Sequence, residues 1–192
     1  MTKSELRKIY LERRRSLSVE EIADKSRQIA DRFFESVDLT RIKALHCFIP
    51  IAKFNEIDTS WIYKKIWKDF PVIKTAAPRV NFETGEMENI VFRPETQLVE
   101  NTWGFLEPAG NERVNDAEFD MVLVPLLCFD SRGYRVGYGK GFYDKFLSKC
   151  RPDCTKIGLS YFEPAEEISD VSNFDIRLNM CVTPDHIYRF NN

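Results

Sequence analysis

Apolar and charged positions alternate along the first forty residues with the period of amphipathic helices. Residues 2–5 have the T-x-x-E form of a capping box, and apolar side chains follow at helical spacing, at Leu6, Ile9, Tyr10 and Leu17. Residues 18–21 form a second such box. The apolar stripe behind it consists of Ile22, Ile29, Ala30, Phe33, Phe34 and Val37. The pattern therefore predicts two consecutive helices.

Short apolar runs and amphipathic stretches alternate in the next part of the chain. A buried strand is predicted at 43–51, and further strands are predicted at 72–77 before Pro78 and at 88–93. Between them, the pattern predicts a helix from Asp58 or Thr59 to Trp67 and a hairpin turn at 81–86. Residues 94–118 carry no clear period and predict an irregular connection, which is often functional at this length.

The most apolar run of the chain is 121–129. A nearly continuous run of this kind is typical of a central parallel strand that is covered on both faces. A glycine-rich loop and an amphipathic helix at 142–149 follow, and further strands are predicted at 157–162, 180–183 and 186–190. Alternating strands and helices indicate an α/β fold: one layered domain over residues 1–192, Rossmann-like, with a mostly parallel central sheet flanked by helices.

Composition narrows the possible partners and location. Among 192 residues, 30% are charged and the formal net charge is −2, so bulk charge provides no attraction for nucleic acid or anionic membranes, although basic residues crowd the first fifteen positions. No apolar run approaches the roughly 18 residues of a membrane span. We expect a cytoplasmic protein, monomeric, that binds small molecules.

The five cysteines support the same location. Their number is odd and no pair has C-x-x-C spacing. We expect reduced and mostly buried thiols, as in a cytosolic protein.

The strongest chemical signal lies between Phe129 and Asp144. Four of the chain's eight glycines fall within 133–141, after the predicted central strand and before a helix. In open α/β sheets, ligands bind at this edge. Glycines let the backbone approach a phosphate closely, and Arg135 and Lys140 supply positive charge.

The loop departs from both common nucleotide-binding patterns. A P-loop requires glycine where Tyr134 stands and Ser or Thr where Gly141 stands. The glycines are spaced G-x-G-x-G, whereas the dinucleotide fingerprint is G-x-G-x-x-G. On the pattern alone, a surface turn that binds nothing stays open.

Residues 133–144 match G-x-R-x-G-x-G-K-G-[YF]-Y-D after an apolar strand that ends in Phe-Asp. In this string the chain closely resembles the 5-formyltetrahydrofolate cyclo-ligase family, also called methenyltetrahydrofolate synthetases. The resemblance covers nearly the whole chain and is weaker in the middle. Further matching positions are Lys3, Arg7, residues 54–59, Pro78, Arg79, Trp103, Gly104, Glu107, Pro108 and Asp175.

The resemblance implies an ATP- and magnesium-dependent conversion of 5-formyltetrahydrofolate to 5,10-methenyltetrahydrofolate, with release of ADP and phosphate. It implies catalytic roles for Arg135 and Lys140 and magnesium binding by Asp144 and Asp175. The folate would contact Glu56, Trp103 and Phe142. The implied ATP-binding residues are Lys3, Arg7, Gly133, Tyr134, Arg135, Val136, Gly137, Tyr138, Gly139, Lys140, Gly141, Phe142 and Tyr143.

One position departs from the family pattern. Four residues after Asp175 the family usually has another Asp, and this chain has Asn179. If that position supports the metal, the affinity for magnesium differs here.

Without the resemblance, each residue also has a structural interpretation. Lys3 and Arg7 fit a solvated helix face, and Glu56 fits support of the following helix. The chain's two histidines, His46 and His186, stand in strand-like contexts that favour structural roles, consistent with catalysis by positioning and charge.

Two other functions stay open at this point. A sugar-phosphate isomerase or CoA-transferase-like enzyme would bind a phosphate in the loop without consuming ATP. A non-catalytic folate- or nucleotide-binding protein would bind its ligand without forming product.

Overall fold

The computed structural model describes residues 1–191. Its helices are α1 Lys3–Arg15, α2 Val19–Ser36, α3 Ser60–Asp69 and α4 Phe142–Leu147. Its strands are β1 Ala44–His46, β2 Lys74–Asn81, β3 Glu86–Val91, β4 Leu98–Glu100, β5 Leu106–Pro108, β6 Met121–Pro125, β7 Cys128–Phe129, β8 Arg135–Val136, β9 Thr155–Leu159, β10 Met180–Val182 and β11 Ile187–Arg189.

A seven-stranded sheet in the order β11-β10-β9-β6-β1-β2-β3 organises the fold. The four inner pairings, from β10 to β2, are parallel, and β11 and β3 add antiparallel edges. The prediction of an α/β fold with a mostly parallel sheet flanked by helices is confirmed. Helices α2 and α3 pack on one face, and α4 packs on the other.

Side chains alternate between these two faces along the central strand. Leu123 of β6 packs in the cluster with Phe33 and Ile66, whereas Val122 and Val124 pack in the opposite cluster with Phe146. This period-2 alternation explains why the segment reads as a continuous apolar run in sequence, because both faces are covered.

Both predicted capping boxes form. Thr2 and Glu5 exchange hydrogen bonds at the start of α1, and Ser18 and Glu21 do so at the start of α2. The third helix begins near the predicted cap. There Asp58 accepts a hydrogen bond from the Ser60 N–H.

The strand predicted at 43–51 is shorter than its apolar run. Strand β1 ends at His46, although Phe48 and Ile49 are also buried. The Phe48 carbonyl accepts a bond from the Thr59 hydroxyl, and the Ile51 N–H donates to Glu56. After β1, side chains therefore provide hydrogen bonds to the backbone that a neighbouring strand would otherwise provide. The burial pattern is the same in both cases, so it does not show where the strand ends.

The run 121–129 is also divided, contrary to the prediction of one strand. Strand β6 ends at Pro125, and β7 pairs with β8 in a separate hairpin. Between them, the Leu126 carbonyl accepts a hydrogen bond from Arg14. All residues from Leu126 to Phe129 are buried, so the run stays apolar across the break.

Strand β2 continues through Pro78, where the prediction ended it. Pro78 stands opposite Asn89 in β3, whose carbonyl accepts from the Val114 N–H. The missing proline N–H therefore breaks no ladder bond. The following turn at 81–86 was predicted correctly, since β2 ends at Asn81 and β3 begins at Glu86.

Residues 94–118 are more regular than predicted. They contain the hairpin β4–β5, which docks on β2 because the Val80 N–H donates to Glu107 Oε1 at 2.9 Å. Trp103 lies in the turn of this hairpin. The strand predicted at 157–162 is shifted to Thr155–Leu159.

The thiol prediction is confirmed within residues 1–191. All five cysteines are free, and four of them are buried, namely Cys47, Cys128, Cys154 and Cys181. None of the helices in the described part of the chain has the length and apolar character that crossing a membrane requires.

Candidate active site

A cavity of about 880 Å³ opens at the carboxyl edge of the parallel sheet. Its wall includes Phe48 and Ile49 after β1, Val80 in the second half of β2, and Pro125 at the end of β6. The glycine loop and the start of α4 close another side, and the β4–β5 hairpin closes a third. This is the edge where parallel α/β sheets bind ligands.

Most residues singled out by the sequence line this one cavity. They are Lys3, Arg7, Glu56, Trp103, Arg135, Val136, Gly137, Tyr138, Gly139, Lys140, Gly141, Phe142, Tyr143, Asp144 and Asp175. Gly133 and Tyr134, also predicted to bind ATP, lie outside the lining. A Cβ at Gly133 would stand 2.8 Å from the Phe190 ring, and Tyr134 packs against the guanidinium of Arg132.

Helix α1 brings basic side chains from a distant part of the sequence to the glycine loop. Arg7 Nε donates to the Gly137 carbonyl at 2.9 Å. The Arg7 guanidinium carbon lies 3.1 Å from the position of a Cβ at Gly139, whose φ is +87°. A side chain at Gly139 would therefore be strained and would crowd Arg7.

Each of the two predicted metal carboxylates forms an ion pair, Asp175 with Lys3 of α1 and Asp144 with Arg135 of the glycine loop. Lys3 Nζ lies 2.5 and 2.6 Å from the two oxygens of Asp175, and Arg135 Nη2 donates to Asp144 Oδ1 at 2.8 Å. The Ile176 N–H also donates to Asp144 Oδ1, at 3.1 Å. The residue next to Asp175 thus touches Asp144, which brings both carboxylates to one rim of the cavity.

The two carboxylates differ in whether both of their oxygens accept hydrogen bonds from the protein. Asp175 Oδ1 accepts from Lys3, and Oδ2 accepts from Lys3 and from the N–H and hydroxyl of Ser172. Burial alone would raise the pKa of Asp175, but these hydrogen bonds and the Lys3 charge hold it below its usual value. Both hydrogen bonds that Asp144 accepts within residues 1–191 go to Oδ1, so Oδ2 faces no protein donor there.

Neither Asn179 nor Asp130, the Asp of the Phe-Asp pair before the glycine loop, lines the cavity. Asn179 accepts from the Lys156 N–H at 2.8 Å and so joins β9 to β10. Asp130 is fully buried and binds Arg132 through its carboxylate. Both side chains support the fold beside the site.

Aromatic rings form a second part of the cavity wall. Phe82 is central, with ring centroids 5.1 Å from Trp103, 5.7 Å from Phe105 and 5.5 Å from Phe142. Phe54 continues this wall towards Tyr138 at 5.2 Å. A flat heteroaromatic ring fits such a surface, because offset stacking is favourable at these spacings.

Sequence reasoning identified only part of the aromatic wall. Phe54, Phe82 and Phe105 come from three separate connections, and of the three only Phe54 lies in a segment that matches the family pattern. Their one common signal is that large aromatic side chains stand in segments without helix or strand periodicity.

A buried carboxylate stands beside these rings. Glu56 is 6% exposed and lines the cavity; Oε2 accepts from the Ile51 N–H and Oε1 from the Tyr138 hydroxyl, each at 2.8 Å. Burial raises the pKa of Glu56, while the Ile51 N–H, Arg14 and Tyr138 act against that shift. None of these contacts involves the N-terminus of α3, which was the alternative role for Glu56.

The histidines occupy structural positions. His46 is fully buried among the rings of Phe119, Tyr143 and Phe146, and burial lowers its pKa to about 3. The imidazole is therefore neutral at physiological pH. His186 lies outside the cavity lining and pairs with Glu163.

The fold and the site together define an α/β protein in which one cavity combines a basic glycine loop with an aromatic wall. Residues 1–184 match the model of the 5-formyltetrahydrofolate cyclo-ligase family, to which this chain belongs. The enzyme class is accordingly that of a ligase.

Similar proteins support this membership across the chain. The 5-formyltetrahydrofolate cyclo-ligase of Escherichia coli K12 is 26% identical over 187 residues, which cover 93% of this chain and 98% of that protein. The solved 5,10-methenyltetrahydrofolate synthetase of Aquifex aeolicus is 27% identical with a TM-score of 0.77, covering 100% and 94% of the two chains. The Mycoplasma pneumoniae synthetase shares the fold, with a TM-score of 0.75 at 24% identity, covering 96% and 99%.

Proposed function

We propose that this enzyme converts 5-formyltetrahydrofolate to 5,10-methenyltetrahydrofolate and consumes ATP in a magnesium-dependent reaction. The observation that carries this proposal is the cavity itself. It combines a basic glycine loop and two carboxylates with an aromatic wall and the buried Glu56. A phosphate donor and a folate ring can thus occupy neighbouring parts of one cavity.

The chemistry requires activation of a poor leaving group. The formyl oxygen attacks the γ-phosphorus of ATP, the bond to ADP breaks, and an imidate phosphate forms. The folate N10 then attacks the activated carbon and loses its proton, and the carbon–oxygen bond breaks to release phosphate. Such a reaction depends on positioning and on stabilisation of phosphoryl charge.

The basic residues of this chain suit that task. Arg135 is held by the Ile176 carbonyl and Asp144, so its guanidinium is fixed at the rim of the cavity. Lys140 is exposed in the loop and can turn towards a bound phosphate. Lys3 and Arg7 approach from α1. Together, these side chains supply the positive charge that phosphoryl transfer requires.

Magnesium fits the carboxylates on the same rim. Mg²⁺ prefers oxygen ligands and is commonly bound by one or two carboxylates together with substrate phosphates. Asp144 offers Oδ2, and Asp175 lies beside it through Ile176. When bound, the cation would neutralise phosphate charge. Lys3, the present partner of Asp175, would then be available for phosphate oxygens.

We propose a cytoplasmic monomer built as one domain over residues 1–192. Its five free thiols fit a reducing compartment. Light scattering after size-exclusion chromatography measures the oligomeric state, and a mass near the 22.5 kDa of one chain is expected.

Purified protein is expected to form methenyl product only when 5-formyltetrahydrofolate, ATP and a divalent cation are all present. Absorbance follows the product, and a coupled assay follows ADP. Omission of ATP, or chelation of the metal with EDTA, should each abolish turnover, and excess Mg²⁺ should restore it after EDTA. Product without stoichiometric ADP would contradict the proposal.

Glu56→Gln is expected to raise the KM for 5-formyltetrahydrofolate about tenfold or more, since one charge-assisted hydrogen bond contributes about 1.5–3 kcal/mol. A carboxylate accepts from the amino and N–H groups of a folate ring, and an amide does this less well. The amide still fits its own partners, because its oxygen can accept from Ile51 and its NH₂ can donate to Tyr138. The KM for ATP should stay unchanged.

The same variant has a distinct stability signature. A carboxyl whose folded-state pKa is raised stabilises the fold below its unfolded pKa, and this contribution is lost as pH rises through the folded pKa. Gln lacks this loss. The Tm of Glu56→Gln relative to the parent should therefore rise with pH. Normal kinetics with a lowered Tm would instead assign Glu56 to support of the fold.

A further inference from the structure

Arg14 is a buried cation that no local pattern explains. It is 3% exposed, whereas its neighbours Arg13 and Arg15 on α1 are exposed. A buried guanidinium is costly unless hydrogen bonds and charge compensate for its lost hydration. Arg14 does not line the large cavity. Its compensation therefore comes from protein groups behind the cavity wall.

These groups come from separate parts of the fold. Arg14 Nη1 donates to the Tyr138 hydroxyl at 3.0 Å, and Nη2 donates to the Leu126 carbonyl. The Arg14 carbonyl accepts from the Asn55 side chain at 3.1 Å. Arg14 thus joins α1 to the end of β6, to the glycine loop and to the segment that carries Glu56.

The hydrogen bonds have a fixed direction. The Tyr138 hydroxyl carries one proton and donates it to Glu56 Oε1, so it accepts from Arg14 through its oxygen. The chain of donors therefore runs from Arg14 through Tyr138 to Glu56. A cation at its start polarises the hydroxyl and strengthens its bond to the carboxylate.

Few other charges act on Glu56. The titratable groups around it are Arg14 of α1, Tyr138 of the glycine loop, Tyr143 of α4 and Tyr161 after β9. Burial raises the pKa of all three tyrosines, so they stay neutral. Among these groups, only Arg14 carries a charge that offsets the burial of Glu56.

We propose that Arg14 is a positioning residue that acts through Tyr138 to keep Glu56 ionised and aimed at the folate ring. This inference rests on the proposed function, in which Glu56 contacts the folate. It assigns a role in substrate binding to a side chain that does not itself touch the cavity.

The test is the pH profile of both KM values in Arg14→Gln. The KM for 5-formyltetrahydrofolate should rise about tenfold at pH 7.5, as expected for one weakened charge-assisted hydrogen bond. In the parent, this KM should rise at low pH as Glu56 is protonated, which gives the pH profile its acid limb. In the variant, the acid limb should move to higher pH, because loss of the cation raises the Glu56 pKa. The KM for ATP should not change. Arg13→Gln is the matched control, since it removes an adjacent guanidinium that stacks on Tyr10 and Phe162.

Tyr138→Phe removes the hydroxyl that links Arg14 to Glu56 and keeps the ring. It should move the acid limb in the same direction, and adding Arg14→Gln to it should produce little further change. A folded Arg14→Gln with the parent's acid limb overturns the inference. If Arg14→Gln does not fold, the parent's acid limb in Tyr138→Phe overturns it instead. Absence of turnover in the parent protein refutes the proposed function itself and is seen before any variant is compared.

Discussion

Asp144→Asn is expected to lower kcat about 100-fold or more, the scale of losing a charge that stabilises the transition state. The amide keeps an oxygen for Arg135 and the Ile176 N–H, so the local geometry survives. The NH₂ group of the amide takes the place of Oδ2, the oxygen proposed for magnesium. Because NH₂ is a hydrogen-bond donor, it cannot bind the cation. Turnover should therefore fall without a large change in Tm.

Asp175→Asn should have a smaller effect. Both oxygens of Asp175 already accept hydrogen bonds from Lys3 and Ser172, so this residue has less capacity for the metal. Raising the Mg²⁺ concentration should partly restore its activity. Measured kcat as a function of Mg²⁺ gives both effects in one experiment.

Asp153→Asn is the matched control for these variants, because it removes an exposed carboxylate paired with Arg151. Full activity and unchanged magnesium dependence in Asp144→Asn would refute the metal assignment. Asp130 would not replace it, because its buried carboxylate is occupied by Arg132 and by backbone donors.

Replacing both Lys3 and Arg7 with Ala is expected to raise the KM for ATP about 100-fold. Each charge-assisted contact to a phosphate contributes about 1.5 kcal/mol or more, and 1.4 kcal/mol corresponds to a factor of ten. The two side chains come from α1 to the rim of the glycine loop, where Arg7 packs on Gly139. The KM for the folate should change much less.

The double variant also removes the partner of Asp175, so a stability control is needed. Lys8→Ala with Arg15→Ala removes two exposed positive charges from the same helix. It should leave both KM values unchanged. If the Lys3 and Arg7 variant binds ATP as tightly as the parent, these residues act only within the fold, Lys3 through Asp175 and Arg7 through the Gly137 carbonyl.

Several features follow from the sequence alone because they depend on short-range interactions. The two capping boxes specify the starts of α1 and α2 through hydrogen bonds between residues three apart. The alternation of strands and helices specified the α/β fold. The string from Gly133 to Asp144 identified the family and most of the basic loop, since its glycines and charges are contiguous.

Other features depend on contacts between distant segments. The apolar run 121–129 looks the same in sequence whether a strand continues or stops, because both forms bury their side chains. Directly after the end of β6 at Pro125, the Leu126 carbonyl accepts a hydrogen bond from Arg14, which lies more than 100 residues away in the sequence. After β1 the side-chain partners are nearer in sequence, since Thr59 binds the Phe48 carbonyl and Glu56 binds the Ile51 N–H.

The residues of the site also divide into those that the local sequence identifies and those that only the tertiary structure brings together. The sequence by itself determined the residues of the glycine loop and, through the family resemblance, the candidates Lys3, Arg7, Glu56, Asp144 and Asp175. Only the tertiary structure decided that three loops supply the aromatic wall and that a buried Arg14 stands behind Glu56. Aromatic packing and burial of a charge arise from the whole fold, whereas helix caps and glycine turns arise from neighbouring residues.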